Sequence, residues 1–491
     1  MDTKALRQKI LDLAIRGKLV PQDPNDEPAS VLIERIRAEK LQMVKDGKLK
    51  PKDIKNDTII FKGDDNLHYE KFSDGSVKCI EDEIPFEVPE GWAWCRLNSI
   101  VDVRDGTHDT PTYVDKGIPL ITSKNLVEGG IDYSNVKYIS EKDAISINER
   151  SGVNIGDILF AMIGTIGNPS MVTEDILISI KNVALFKFTF SKNLSNYFVM
   201  YFLDYAQEDM KNKPSGGLQP FVSLNFLRTY LVPIPPVEEQ QRIVSILADS
   251  INKIRNIDVL KNELTASVKK AKSKILDLAI RGKLVPQDPN DEPASVLLEH
   301  IRAEKEELIR QGKIKRDKKE SVIFKGDDNS YYEKYGEKLP SGWVVTNFET
   351  LLLYEQPTNY IVKNTNYKTE YETPVLTAGK SFILGYTNEK ENIFSELPVI
   401  IFDDFTTESK FVDFQFKVKS SAMKILHINT NLVLPKFAFY LMQATQIDHD
   451  NHQRYWISTY SQELLGLPPI NEQKRILSAL EHYFSLIEMI S

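Results

Sequence analysis

KILDLAIRGKLVPQDPNDEPASVL, the 24 residues Lys9–Leu32, recurs without a single change at Lys274–Leu297. The similarity continues beyond it, because IERIRAEK follows the first copy and LEHIRAEK follows the second. It resumes at FKGDDN, which occupies residues 61–66 and 324–329. An unchanged repeat of this length indicates a structural frame that the chain uses twice.

A second repeat lies elsewhere in the chain. PPVEEQQR at Pro235–Arg242 corresponds to PPINEQKR at Pro468–Arg475, and each opens a segment of helical apolar periodicity. The middle of the chain, from the first of these segments to Trp343, therefore holds a copy of the C-terminal end followed by a copy of the N-terminal end. Joining the last residue to the first would make this order occur twice, so the sequence predicts a circular, pseudo-twofold arrangement.

The segments between the repeats run from about Trp92 to Pro233 and from about Trp343 to Leu467, and their sequences barely match. Identical frames around dissimilar inserts indicate one scaffold that carries two readers of different specificity. A recent duplication without functional meaning is the alternative, but drift would not spare the frame and change only the inserts. The predicted divisions are an N-terminal conserved repeat (1–87), a first insert (88–234), a central conserved region (235–338), a second insert (339–467) and a C-terminal conserved helix (468–491).

A long helix is predicted in the central conserved region. No Pro or Gly occurs from Val237 to Arg281, and Gly282 and Pro286 then supply stop signals. The counterpart of this helix is divided between the two ends of the chain. The apolar stripe of the central helix and that of its counterpart could pack against each other; burial of the stripes against another protein is the alternative. The apolar residues of the central seam are Ile243, Leu247, Ile251, Ile254, Ile257, Leu260, Leu264, Val268, Ala271, Ile275 and Leu278.

Composition excludes several classes of protein. Of the 491 residues, 41% are hydrophobic and 27% are charged, the balance of a globular protein with real cores. The two cysteines, Cys79 and Cys95, allow neither a disulfide framework nor a cysteine-rich zinc site, and their small number is typical of a reducing cytosol. The formal net charge of −8 argues against a generally basic nucleic-acid binder but is compatible with a local basic groove.

The motifs of catalysis are missing or unconvincing. The chain lacks the Asn or Asp before Pro-Pro-Tyr/Phe of a methyltransferase and lacks a glycine-rich loop for an adenosyl cofactor. Thr377–Ser381 ends like a phosphate-binding loop, but Pro374 stands where its first glycine is needed. Asp403–Asp404 and Glu408–Lys410 imitate a metal nuclease at an unsuitable spacing, and the histidines offer no third metal ligand. We therefore predict a non-catalytic chain with no metal site.

Polar, glycine-bearing segments between strand-like runs are the features left for binding. Side chains of Lys, Arg, Asn, Gln, Ser and Thr in such loops can hold phosphates and read base edges, although an ordinary surface turn is the alternative for each. In the first insert these segments are Arg104–Pro111, Gly156–Gly167 and Lys211–Gln219; in the second they are Thr377–Ser381, Thr406–Lys410 and His452–Tyr460.

The chain resembles the specificity subunits of bacterial and archaeal type I restriction–modification systems over nearly its whole length. The resemblance rests on the two PPxxEQxR helix openings, the two RGKLVPQDPNDEPAS elements and the Pro-x-Gly-Trp entries to each insert. DGTHDTP and LFAMIGTIG in the first insert also match the pattern of that family. Together these motifs are highly specific.

The resemblance implies an α+β protein with two α/β target-recognition domains, separated by an antiparallel pair of long coiled-coil helices. Each domain would read one half of a split, asymmetric sequence in double-stranded DNA, and the helices would set the gap. Two methyltransferase subunits carrying S-adenosylmethionine would dock on the conserved helices and methylate adenine. Restriction subunits would translocate and cut DNA using ATP and Mg²⁺. This cytoplasmic chain itself would carry no cofactor.

Two features of the sequence qualify this expectation. The half-repeat at the N-terminus predicts that residues near 470–491 and 1–16 together form the second spacer helix, which would bring the chain termini close together. Both inserts are net acidic, so we expect weak DNA binding by the isolated chain. Nanomolar binding by the isolated chain in ordinary salt would contradict that expectation.

Candidate DNA-binding residues are chosen by residue type and loop setting. Those of the first insert are Thr107, His108, Lys124, Asn125, Thr165, Lys213, Ser215 and Gln219. Those of the second insert are Lys380, Thr406, Lys410, Arg454, Tyr455 and Ser458.

Three other functions stay open at the level of sequence. A pure assembly scaffold would use its inserts to bind protein. An enzyme, either a nuclease built on Asp404, Glu408 and Lys410 or a methyltransferase, would act without partners. A subunit of the same fold could also serve a related system with fused or different cleavage subunits.

Overall fold

The computed structural model describes residues 2–212, 221–311, 339–377, 381–445 and 454–490. The chain divides into two units, Met1–Leu260 and Lys261–Ser491. The helices in the described ranges are α1 (Thr3–Ile15), α2 (Ala29–Lys45), α3 (Leu97–Ile100), α4 (Glu141–Ser151), α5 (Asn196–Asn212), α6 (Leu224–Thr229), α7 (Val237–Ile280), α8 (Ala294–Arg310), α9 (Phe348–Leu351), α10 (Pro435–Ala444), α11 (Tyr455–Ser458) and α12 (Ile470–Glu488).

The long helix is confirmed within one residue of its predicted end. Its seam is buried at Ile243, Leu247, Ile251 and Ile254, whereas Leu260 is 62% exposed. The predicted antiparallel pairing of spacer helices and the helix joining the chain ends stay predictions. None of the helices in the described ranges combines the length and apolar character that crossing a bilayer requires.

Strands dominate the insert of the first unit. Its two four-stranded sheets have the orders β12-β11-β14-β5 and β13-β7-β10-β6, and β1-β2-β3 form a separate antiparallel sheet. The strands are β1 (Ile59–Lys62), β2 (His68–Lys71), β3 (Val77–Cys79), β4 (Ala93–Arg96), β5 (Asp102–Asp105), β6 (Tyr113–Val114), β7 (Ile118–Ile121), β8 (Leu126–Val127), β9 (Gly130–Ile131), β10 (Lys137–Ile139), β11 (Ile158–Ala161), β12 (Gly167–Met171), β13 (Ser179–Ile180), β14 (Val183–Lys187) and β15 (Leu231–Ile234).

The second unit has the same kind of insert. Its sheets have the orders β17-β23-β20-β21 and β19-β18-β22. The strands are β16 (Val344–Asn347), β17 (Leu352–Glu355), β18 (Thr373–Leu376), β19 (Ile383–Thr387), β20 (Val399–Asp403), β21 (Ser409–Val412), β22 (Lys417–Val418), β23 (Met423–Ile428) and β24 (Leu464–Leu467). The mixed α and β content confirms the predicted fold class.

The two inserts share one strand order although their sequences barely match. The antiparallel sheet β12-β11-β14-β5 of the first insert corresponds to β21-β20-β23-β17 of the second, and the strands follow in the same order along the chain. Among the described strands, each insert also has one parallel pair, β7 with β13 and β18 with β22. The strand order therefore gives the loops that join these matched strands counterparts in the other insert.

A two-stranded antiparallel pair closes each insert. Ala93 pairs with Ile234 across β4 and β15, and Val344 pairs with Leu467 across β16 and β24. The first strand of each pair follows the Pro-x-Gly-Trp segment, and the second precedes the Pro-Pro of the helix opening. Each insert thus starts and ends at neighbouring points of the frame. We call residues 93–234 module 1 and residues 344–467 module 2.

The repeated motifs contact each other in a cluster that we call the first frame lock. The Trp92 indole Nε1 donates to Glu239 Oε2 at 3.0 Å, and Gln22 Nε2 donates to Glu239 Oε1 at 2.9 Å. Arg242 NH2 lies 2.5 Å from Asp26 Oδ2. Burial raises the pKa of Glu239 above its ordinary value. The helix opening, the proline-rich repeat and the Trp before module 1 are thereby joined at one point.

The second frame lock repeats these contacts in the other unit. Trp343 Nε1 donates to Glu472 Oε2 at 3.0 Å, and Gln287 Nε2 donates to Glu472 Oε1 at 3.1 Å. Arg475 NH2 lies 2.7 Å from Asp291 Oδ2. The structure therefore explains why PPxxEQxR and GKLVPQDPND occur together twice: each supplies the hydrogen-bond partners of the other.

The glutamine that follows each lock glutamate connects the frame to its module. Gln240 Oε1 accepts from the backbone N–H of Ser195, immediately before α5, at 2.9 Å. Gln473 Oε1 accepts from the N–H of Leu434, immediately before α10, at 2.8 Å. One polar side chain in the first turn of each frame helix thus fixes the start of the principal helix of a module.

Alanine at Gly17 is expected to destabilise the first unit by about 2–5 kcal/mol. Gly17 has a φ of +65°, and an added Cβ would lie 2.4 Å from Pro89 Cγ. Left-handed backbone costs about 1–2 kcal/mol for a non-glycine residue, and forced overpacking costs about 1–3 kcal/mol more. Chemical denaturation checks this loss of stability, with Gly47→Ala as the matched control.

Gly47 has a φ of +70° but nothing within 4 Å of an added Cβ. Its replacement by alanine is therefore expected to cost only about 1–2 kcal/mol, the backbone penalty alone. Equal losses for the two variants would show that the contact with Pro89 contributes nothing.

Candidate nucleic-acid interface

Polar loops of module 1 meet at one edge of its sheets and form a cleft of about 540 Å³. The loops follow β7 and β11 and connect β13 to β14, and alternation of strand direction brings these strand ends to the same edge. Three lysines contribute to the lining, whereas Asp132 is the one acidic side chain among the described residues that line it. The lining residues are Tyr113, Leu120, Thr122, Ser123, Lys124, Asn125, Asp132, Asn135, Lys137, Ile163, Gly164, Thr165, Lys181 and Asn182.

The cleft has a basic character with one fixed negative charge. Hydrogen bonds from the side chain and backbone of Ser134 lower the pKa of Asp132. Lys137 lies over the Tyr113 ring, with its Nζ 4.3 Å from the ring centroid. An array of cations, hydroxyls and amides around a shallow opening can hold phosphates and pair with base edges.

Thr107 and His108 lie beside this cleft, on the loop after β5. The backbone N–H of Thr107 donates to Ile180 O at 3.0 Å, which ties the loop to β13. The His108 ring Nδ1 is 2.8 Å from Asn182 Oδ1, and its Nε2 is 2.9 Å from Asp105 Oδ2. The His108 side chain is 61% exposed, so it is both oriented and accessible.

Lys124 and Thr165 are exposed in the lining of the cleft, but Asn125 is buried with only 6% of its surface accessible. The Asn125 Oδ1 accepts from the N–H and hydroxyl of Thr122, and its Nδ2 donates to Asp132 O at 3.2 Å. The structure gives Asn125 the role of shaping the loop that presents Lys124. Its assignment as a DNA-binding residue stays a prediction that this burial disfavours.

Thr165 lies on the loop that connects β11 to β12 of module 1. The counterpart of this loop in module 2 connects β20 to β21 and contains Thr406. It lines a groove of about 450 Å³ together with Lys410, Gln443 and neighbouring residues. Asp403 Oδ1 accepts from the N–H groups of Phe405 and Thr406, both at 2.9 Å. Thr165 and Thr406, chosen separately from sequence, thus lie on corresponding loops.

The acidic residues that imitate a nuclease have structural contacts here. Asp404 is 1% exposed; its carboxylate lies 3.5 Å from Lys424 Nζ and accepts from the N–H of Trp456 at 2.9 Å. Within the described residues, no three His, Cys, Asp or Glu side chains gather as a metal site requires. Asp404 instead holds the β20–β21 loop against α11.

The candidates near α11 differ in accessibility. Arg454 and Ser458 are exposed, and the Ser458 hydroxyl donates to Arg454 O at 2.7 Å. Tyr455 is 2% exposed, because its ring is part of the module core, and its N–H donates to Asp404 O at 2.9 Å. Tyr455 as a DNA contact stays a prediction that its burial disfavours. Lys213, Ser215, Gln219 and Lys380 lie outside the described residues.

Sequence reasoning missed Lys181 and Asn182, which line the cleft between β13 and β14. Asn182 has a φ of 55°, and its N–H donates to Thr107 O at 3.1 Å. The Lys-Asn pair between the apolar runs of LISI and VALF is a turn signal that the sequence does contain. Only the parallel pairing of β7 with β13 reveals that this turn adjoins Lys124.

Comparisons with known proteins agree with this architecture. Residues 89–266 match the family described as "Type I restriction modification DNA specificity domain". A chain from a solved structure titled for complex assembly and conformational transition of the type I R-M system aligns with a TM-score of 0.55 at 14% identity. The alignment covers 83% of this chain and 93% of that chain, which shows a shared fold.

Two specificity subunits from Escherichia coli are similar in sequence. The EcoAI subunit is 31% identical over 394 residues, which is 69% of this chain and 61% of that protein. The EcoR124I/EcoR124II subunit is 46% identical over 153 residues, which is 30% of this chain and 37% of that protein. The chain thus spans less than two thirds of the length of these curated relatives. These matches and the duplicated frame make the chain similar to the specificity subunits of type I restriction–modification systems.

Proposed function

We propose that this chain is the DNA-recognition subunit of a type I restriction–modification complex and performs no catalysis itself. Each module would read one half of a bipartite asymmetric site in double-stranded DNA. The observation that carries the proposal is one strand order used twice, on identical frame locks, with different residues in corresponding loops. This is the arrangement that two readers of different sequences require.

The partners follow from the same proposal. Two methyltransferase subunits would dock on the conserved helices, bring S-adenosylmethionine and methylate one adenine in each half-site. Restriction subunits would bring ATP and Mg²⁺, and the complex would act in the cytoplasm. The helical spacer would set the gap between the half-sites.

The methylome of a host that expresses this chain with its neighbouring methyltransferase tests the proposal. We expect a new bipartite adenine-methylated motif that is absent when the methyltransferase is expressed alone. A complex that co-purifies but methylates no new motif would contradict DNA recognition and favour the scaffold function.

Double substitution of Thr107 and His108 by alanine is expected to relax one half-site only. Each lost base contact is worth about 1–3 kcal/mol of discrimination, so methylation would spread to variants of that half-site. The second half-site of the same molecule is the internal control, because module 2 is unchanged. Unaltered specificity in the methylome would remove this pair from the interface.

A further inference from the structure

Lys181 and Lys419 occupy the same backbone position in modules whose sequences barely match. Lys181 follows β13, and its N–H donates to Ile121 O of β7 at 2.9 Å. Lys419 follows β22, and its N–H donates to Leu376 O of β18 at 3.1 Å. Since β7–β13 and β18–β22 are the parallel pairs of the two modules, the equivalence rests on hydrogen bonding and not on sequence alignment.

Both lysines lie at the sheet edge that presents the candidate loops. Lys181 lines the cleft of module 1, and its Nζ contacts the Thr110 hydroxyl. In module 2 the turn that begins at Lys419 adjoins the β20–β21 loop, because Ala422 O accepts from the N–H of Asp404 at 3.3 Å. The Lys419 side chain is exposed.

The two lysines share a lack of carboxylate partners among the described residues. Over the ranges that the structure describes, no carboxylate forms an ion pair with either of them. Two buried lysines of the modules, by contrast, are neutralised internally: Lys187 pairs with Asp157 at 2.6 Å, and Lys417 pairs with Glu389 at 3.1 Å. A lysine kept unpaired at the same edge of two net acidic modules is suited to an anion that both modules meet.

We propose that Lys181 and Lys419 bind equivalent backbone phosphates of DNA, one in each half-site. This inference rests on the proposed function and extends it. Base contacts must differ between two half-sites of different sequence, whereas phosphates are the same in both. The shared lysine therefore fixes the register of each module on DNA, and the neighbouring dissimilar residues read the bases.

The test uses the complex of this chain with its methyltransferase and a duplex that carries the motif found in the methylome. We expect Lys181→Ala and Lys419→Ala each to weaken binding about fivefold to tenfold and to lower the slope of log affinity against log salt by about one. The effects should add in the double variant, and the methylated motif should stay the same.

Lys192→Ala is the matched control, because this substitution removes the same charge at an exposed residue that lies beyond the opposite end of β14. Lys181→Arg should retain the salt slope. Two results would overturn the inference: a salt slope equal to that of Lys192→Ala, or a motif that changes at one half-site, which would assign the lysine to base reading. An unsubstituted complex that binds no specific DNA would overturn the proposed function itself.

Discussion

Alanine at Glu239 is expected to destabilise the first unit by about 2–3 kcal/mol, because it leaves the hydrogen-bond donors of Trp92 and Gln22 without their acceptor. Trp92 is only 8% exposed, so water cannot replace the lost carboxylate without entering the core. Denaturant unfolding gives the loss of stability, and hydrogen exchange should locate it in the segments that the first frame lock joins.

The neighbouring Glu238 provides the control, since it is exposed in the first turn of the same helix. Glu238→Ala should cost less than about 1 kcal/mol, the value of a favourable helix-terminus charge. Glu472→Ala should reproduce the effect of Glu239→Ala in the second unit, where Trp343 and Gln287 lose the same partner. Equal stabilities of the Glu239 and Glu238 variants would contradict the structural role of the lock.

The cost of Glu239→Ala should also depend on pH. Burial raises the folded-state pKa of Glu239, so its contribution is fully present below the unfolded pKa and is lost as the pH rises through the folded pKa. The variant lacks this group, and the difference in stability should be larger at about pH 4 than at about pH 8. A difference that grows with pH would mean that the lock favours the ionised carboxylate.

Replacing residues 97–230 by residues 348–463 is expected to abolish methylation of the original site and to create a symmetric one. The exchange keeps the β4–β15 pair, in which Arg96 faces Leu231. The inserted segment comes from between the strands of the equivalent β16–β24 pair, in which Asn347 faces Leu464. Both pairs have four residues in each strand, so the inserted segment meets matching ends.

The chimaera would carry two copies of module 2 on a pseudo-twofold frame. Its methylated motif should therefore contain the second half-site twice, as an inverted repeat, with the original gap. The reciprocal exchange, which places residues 97–230 between β16 and β24, should double the first half-site. Retention of the original asymmetric motif by a chimaera that co-purifies with its methyltransferase would show that the inserts do not read DNA.

The frame was predictable from sequence because it is repeated. The motifs PPxxEQxR and GKLVPQDPND each occur twice in the sequence. The long helix that begins at Val237 is recognised from the helical spacing of its apolar residues and from the absence of Pro and Gly. What these motifs do was not predictable, since the contact of Glu239 with Trp92 joins residues that are 147 positions apart.

The candidate site was predictable only in part. Loop setting singled out Lys124 and Thr165, which line the cleft of module 1, because polar glycine-bearing turns between strands lie at sheet edges. That these residues bind DNA stays a prediction. Loop setting did not distinguish Asn125 and Tyr455, whose side chains are buried, from exposed neighbours of similar type. Lys181 was missed because its position depends on parallel strand pairing, which leaves no periodic trace in the sequence.

The duplicated frame locks create an ambiguity while the chain folds. Lys9–Leu32 and Lys274–Leu297 are identical, and each contacts its own helix opening through the same set of side chains. Along the chain, the copy at Lys274 lies much closer to the opening at Pro235 than its native partner at Lys9 does, so loop closure favours the wrong pairing only until α7 (Val237–Ile280) forms, because a continuous helix is too stiff to return to its own start. Early formation of α7 therefore protects the native pairing within one molecule, whereas the identical locks still allow segments to be exchanged between molecules.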